Sequence, residues 1–110
     1  MTVSELAQRC GFAFAVRSGE RKEVTGGFCG DLLSWAIGRA KTGDAWVTVI
    51  GNANTVAVAL LAGVSCIVLS QGAELMPEAA ERAEENDLAV LKSGAGSFEN
   101  AASIARALSE

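Results

Sequence analysis

Short apolar runs and helically spaced apolar positions alternate along this chain, and each change of period marks a new element. Thr2 and Glu5 stand at the spacing at which a hydroxyl and a carboxylate satisfy each other's backbone donors, so a helix opens there and stops near Cys10-Gly11. Phe12 to Val16 reads as a strand, Arg17 to Glu20 as a polar turn, and Glu23-Val24-Thr25 leads into a second strand at Gly26-Gly27-Phe28. These two strands either pair as neighbours or lie apart. From Asp31 the period becomes helical: Leu32, Leu33, Trp35, Ala36, Ile37 and Ala40 fall on one side of a helix ending at Lys41-Thr42-Gly43, with Asp31 as its expected N-cap.

Ala45 to Ile50 is a nearly continuous apolar run, as expected of a strand covered on both faces, and Gly51-Asn52-Ala53-Asn54 breaks it. An Ala/Val/Leu helix then runs through Ala62, with Asn54 expected to cap it. The cycle repeats with a strand at Ser65 to Leu69, a helix from Pro77 through Glu85 closing at Asn86-Asp87, and a strand at Leu88 to Leu91. The Gly-rich loop Lys92-Ser93-Gly94-Ala95-Gly96 leads to a last helix, for which Ser97 is the expected cap. Strand-loop-helix units repeating at a spacing of roughly twenty residues predict an α/β fold: an open, mostly parallel sheet of β-α-β crossovers in two or three layers, as one domain over residues 1–110.

The chain has 110 residues, half of them apolar, yet only four Phe, two Trp and no Tyr, so the core is built from Ala, Val, Leu and Ile. Nine Lys and Arg against thirteen Asp and Glu give a net charge of −4 with no basic stretch, which argues against a nucleic-acid partner. Histidine is absent, and with it the imidazole metal ligands, the Ser/His and Cys/His nucleophile pairs and the commonest general base. Cys10, Cys29 and Cys66 form no C-x-x-C and no disulfide framework, which suits a reducing cytoplasm. Neither an export signal nor a bilayer-spanning run is read from the sequence, since the longest apolar run, Val56 to Ala62, is too short.

In an open parallel sheet ligands gather beyond the carboxyl ends of the strands, and three loops are expected there. The first offers Gly26, Gly27, Gly30 and Asp31, whose small residues let a ligand approach the backbone; as structure alone, the glycines turn the chain and Asp31 caps a helix. The second offers Asn52, Asn54 and Thr55 at a helix start, where amide side chains and backbone N–H groups suit a carboxylate, phosphate or base edge, or simply make a turn and a cap. The third, Ser93, Gly94, Gly96 and Ser97 beside Lys92, is the best anion cradle, and its spacing is not G-x-G-x-x-G. Cys29, just ahead of a helix, reads as an incidental thiol, Cys66 as core, and Trp35 and Trp46 as core or interface. Glu78, Glu81, Glu84 and Glu85 read as the solvated face of a helix and not as a metal site.

The segments Val24-Thr25-Gly26-Gly27-Phe28-Cys29-Gly30-Asp31-Leu32-Leu33-Ser34, Trp46 to Val49, Asn54-Thr55-Val56-Ala57-Val58-Ala59 and Ser97 to Ala101 carry a resemblance over most of the chain. On them the sequence resembles a stand-alone DRTGG domain. It is also similar to the N-terminal, non-catalytic domain of HPr kinase/phosphorylase, whose small relatives are often labelled serine kinases. The resemblance implies an α/β regulatory or ligand-sensing module that is joined in other proteins to nucleotide-sensing CBS domains or to phosphotransacetylase, that tends to dimerise, and that in stand-alone form is linked with iron-only hydrogenase systems. It implies no catalytic residues. Phosphoryl transfer needs a phosphate-cradling loop with its Lys and hydroxyl, and no G-x-x-x-x-G-K-[ST] occurs, so kinase activity is not expected.

The expected protein is therefore a cytoplasmic regulatory module, not an enzyme, that needs no cofactor or metal and binds a nucleotide or small anionic metabolite. The Asn54 to Ala62 helix has almost no polar face, so a second copy is expected to cover it, giving a homodimer. The alternative is an interaction or assembly subunit without a small-molecule ligand, docked on a protein partner in a hydrogenase or carbon-metabolism system.

Overall fold

The computed structural model describes residues 1–110. Its elements are α1 (Val3–Cys10), β1 (Ala13–Val16), β2 (Gly26–Cys29), α2 (Leu33–Arg39), β3 (Asp44–Thr48), α3 (Ala53–Ala62), β4 (Cys66–Leu69), α4 (Pro77–Glu85), β5 (Ala89–Lys92) and α5 (Ser97–Ser109). The five strands form one sheet in the order β1-β5-β4-β3-β2, with β2 to β5 parallel and β1 antiparallel to β5. The first two strands thus lie apart, at opposite ends of the sheet.

Alternation along the central strands divides the core into two layers. Ala45, Val47, Cys66, Val68, Ala89 and Leu91 face α1 and α5 on one side, packing with Leu6 and Ile104. Trp46, Ile67, Leu69 and Val90 face α2, α3 and α4 on the other, packing with Val56, Ala59, Ala79 and Ala83. Every residue of β3 and β4 is buried, which explains why these strands read as unbroken apolar runs. Trp46, the largest buried side chain, satisfies its indole by donating to the Gly30 carbonyl at 2.9 Å.

Helix ends follow local chemistry in some places and not in others. At α1 the Thr2 hydroxyl accepts from the Glu5 N–H at 3.1 Å and the Glu5 carboxylate accepts from the Thr2 N–H at 2.8 Å, a complete capping box, and Gly11 closes the helix in the left-handed region. The Thr2 backbone N–H, and after it the Thr2 hydroxyl, hold the Glu5 carboxyl below its ordinary pKa. At α3 the cap is Asn52, whose side chain accepts from the Thr55 N–H at 3.0 Å, and the expected cap Asn54 is exposed in the first turn. At α5 Gly96 holds the N-cap position with no side-chain cap bond, and the expected cap Ser97 is already helical. Asp31 does not cap α2 either, since Leu32 is the N-cap residue and makes no side-chain bond.

The burial expected of α2 is corrected. Only Ala36 of α2 is buried, while Leu32, Trp35 and Ile37 are 59, 54 and 52% exposed. The reason is position: α2 lies over the end of the sheet and has α3 as a neighbour on one side alone. In α3, Val56 and Ala59 are buried and Leu61 is 74% exposed, so this chain by itself covers one side of the helix and not all of it.

Candidate functional site

Four parallel strands end on one side of the molecule, at Cys29, Thr48, Leu69 and Lys92, and the loops that leave them are bonded to one another. Ser70 N–H donates to the Thr48 carbonyl at 3.0 Å, Gln71 N–H to the Ala95 carbonyl at 2.8 Å, Gly72 N–H to the Ser93 carbonyl at 3.0 Å and Met76 N–H to the Gly51 carbonyl at 2.8 Å. Gly51 is required by this arrangement, because a side chain there would strike the Glu74 backbone. Gln71 is held in the left-handed region at φ 59°, a conformation that costs free energy in a residue with a Cβ and that the bond to Ala95 helps to maintain. The carboxyl edge is thus a pre-ordered surface.

The predicted site residues divide on this edge. Asp31 lies at it, its carboxylate accepting from the Thr48 hydroxyl at 2.8 Å and the Val49 N–H at 3.0 Å, so it ties the end of β2 to the end of β3. Gly30 precedes it and supplies the carbonyl that receives Trp46. Asn52 and Thr55 bond to each other, and Thr55 is buried; Asn54 remains free on the surface. Ser93 accepts from the Ala95 N–H at 3.1 Å and donates to Asn100 at 3.0 Å. Gly94, Gly96 and Ser97 complete this loop and its entry into α5.

Gly26 and Gly27 do not join them. They begin β2, so they lie at the opposite, amino end of the sheet, where Gly26 pairs with Asp44 and Gly27 with Ala45. Gly26 serves packing: an added Cβ would come within 2.8 Å of the Asp44 carboxylate, which accepts from the Lys41 N–H at 2.8 Å. The sequence signal was a glycine pair, and glycine pairs arise from close packing as readily as from ligand approach.

Asn100 and Ser70 were missed. Asn100 is 2% exposed and donates to the Ser70 hydroxyl at 2.8 Å and the Ala95 carbonyl at 3.2 Å while accepting from Ser93, so it joins the loops after β4 and β5 beneath the surface. Its signal was present in the sequence: Asn100 shares the inward stripe of α5 with Ile104 and Ala107, and a polar residue on such a stripe must have partners.

Two cavities flank these elements. One, about 270 Å³, lies between α5 and the β2–β3 end of the sheet, lined by Gly27, Cys29, Val47, Ala101, Ile104 and Leu108 among others, nearly all apolar. The other, about 420 Å³, opens at the carboxyl edge among Gly11, Ala13, Gly72, Ala73, Lys92, Ser93 and Gly94. No group of three or more His, Cys, Asp or Glu is arranged to hold a metal ion. The Cys29 thiol is pushed above its ordinary pKa by burial and then by Asp31, and complete burial pushes Cys66 up to about 12, so neither is a ready thiolate at neutral pH.

Residues 16–107 match the DRTGG domain. The chain belongs to the DRTGG domain family. This DRTGG domain is also similar in structure to the CBS and DRTGG domains of the regulatory region of Clostridium perfringens pyrophosphatase, a crystal structure in complex with the activator diadenosine tetraphosphate. The TM-score is 0.68 at 13% sequence identity, over 94% of this chain and 45% of that one, and at this identity the likeness speaks to the fold. This chain therefore spans less than half the length of that regulatory region. No curated protein matches the sequence. Of the segments that carry the resemblance, the Thr25-Gly26-Gly27 stretch lies at the amino end of the sheet: Thr25 N–H donates to the Gly43 carbonyl at 2.9 Å, and Gly26 abuts Asp44. No helix is long and apolar enough to cross a membrane.

Proposed function

We propose that this DRTGG domain is a non-catalytic regulatory module that binds a small anionic metabolite or nucleotide at the carboxyl edge of its sheet and works as a homodimer. The observation that carries the reading is the edge itself, where loops after four strands converge and are locked to each other by backbone and Asn100 hydrogen bonds before any ligand arrives. A related regulatory region is described with a nucleotide activator, which favours the same ligand class. The lack of histidine and of a G-x-x-x-x-G-K-[ST] loop favours sensing over phosphoryl transfer. Exposed Leu32, Trp35 and Ile37 on α2, together with Leu61 on α3, supply an apolar surface that a second copy would cover.

The same apolar surface supports a second reading, an assembly subunit that docks on a different protein and binds no small molecule. Native mass spectrometry of freshly purified protein separates the two. A dimer that carries a discrete adduct, or that gains one on addition of adenine nucleotides or acetyl phosphate, supports the sensor. A dimer unresponsive to both favours the assembly subunit, and a monomer at micromolar concentration removes the homodimer from the proposal.

A further inference from the structure

Four segments make up the carboxyl edge, residues 30–32, 48–52, 70–76 and 92–97, and the only cation among them is Lys92. Lys92 ends β5, between Ala13 of β1 and Leu69 of β4, and forms none of the three ion pairs in the protein. It lines the 420 Å³ cavity, a depression open to solvent. Beside it, the exposed Gly94 N–H has no acceptor within the protein, although those of its neighbours Ser93 and Ala95 both have one. Open space faces the α-carbons of Gly72 and Gly94, so a ligand can come against the backbone there. The loops holding these groups are fixed by the Gln71–Ala95 and Gly72–Ser93 backbone bonds and by Asn100 from below.

The competing anion position, the N-terminus of α5, is already faced by a carboxylate. Glu99 lies in the first turn and folds back so closely over Gly96 that a Cβ there would collide with it. A negative side chain on the first turn satisfies the helix dipole and repels a second anion. Positive charge, an unbonded N–H and open backbone coincide instead at the mouth between β5 and the loop after β4.

We infer that the anionic group of the ligand is held in the Lys92 cavity, by the Lys92 ammonium and the Gly94 N–H, and not at the N-terminus of α5. This rests on the ligand-sensing reading above. The ligand class is a phosphate or carboxylate carried on a body small enough for the cavity, such as a mononucleotide or an acyl phosphate.

The test titrates inorganic phosphate, AMP, ATP and acetyl phosphate into the full chain by calorimetry, and maps bound-state amide shifts by ¹⁵N NMR. With one of these probes, Lys92→Glu is expected to weaken binding by about tenfold or more, Lys92→Arg by less than about threefold, and the largest shifts are expected at Gly72, Ser93 and Gly94. Lys92 is exposed, so its variants are expected to keep the wild-type melting temperature, which checks that any loss is local. If a probe binds and Lys92→Glu keeps its affinity, or the shifts centre on Ser97 to Glu99, the assignment to this cavity is overturned while the sensor reading stands. If none of the four probes binds the wild-type chain, both the cavity assignment and the sensor reading for these ligand classes fall.

Discussion

The two ends of the sheet use glycine in opposite ways. At the amino end Gly26 is pressed against Asp44, and no ligand has room between them. At the carboxyl end Gly72 and Gly94 face open space beside an unpaired lysine. The segments that carry the family resemblance reach both ends, with Thr25-Gly26-Gly27 at the amino end and Gly30-Asp31, Asn54 and Ser97 at the carboxyl end, so the signature by itself does not separate packing from ligand approach. A glycine serves packing or ligand approach, and burial and contact distinguish the two.

The strongest way to break the contrast is to loosen the carboxyl edge from beneath. Asn100→Ala removes three side-chain hydrogen bonds in a buried position, leaving the Ser70 hydroxyl without its donor and the Ser93 hydroxyl without its acceptor, so unfolding by urea should show a loss of about 3 kcal/mol. Amide exchange at Gln71 and Ala95 should speed up with it. A loss below about 1 kcal/mol would mean that the backbone bonds alone hold the edge.

At the amino end Gly26→Ala should cost about 1–2 kcal/mol, because the new Cβ displaces the Asp44 carboxylate from the Lys41 N–H. The comparison sharpens in the double variant: in an Asp44→Ala background the penalty should vanish, since nothing is left to strike. A penalty that persists in that background would place the strain in the β2 backbone instead.

Thr2→Ala, which opens the capping box beside the chain entering β2, should cost about 1 kcal/mol in thermal or chemical unfolding. The partner Glu5 titrates below its ordinary value in the folded chain, so its contribution is present above the unfolded carboxylate pKa and is lost as pH falls through the folded one. Melting temperatures of wild type and Glu5→Gln should therefore converge in acid and separate near neutrality.

The smallest effect belongs to the open glycine. Gly94→Ala should change stability by less than about 0.5 kcal/mol, because its φ is not left-handed and its Cβ meets nothing within 4 Å. A loss comparable to that of Gly26→Ala would abolish the difference between the two ends.

Most of the fold was legible because local rules and long-range packing agree. The capping box, Pro77 at the start of α4, Asn86-Asp87 at its end and the unbroken apolar strands β3 and β4 were all written in short windows of sequence. The candidate site was legible only in outline. Asp31, Asn54 and Ser97 have capping chemistry, but Asp31 is taken by Thr48 and Val49, residues distant in sequence, and Asn52 and Gly96 hold the cap positions. Local preference proposes a partner, and a competing partner brought close by the sheet can win at similar energy.

The sequence alone determined the alternation of strands and helices, the family and the absence of imidazole chemistry, since these depend on residue type and spacing along the chain. Tertiary structure decided which glycines are packed and which are open, that Leu32, Trp35 and Ile37 face outward, and that Gly11, Gly72, Lys92 and Gly94 meet around one cavity. Those outcomes depend on strand order. With β5 between β1 and β4, Lys92 lies beside residues from loops far away in sequence, and no pattern along a single chain records that adjacency.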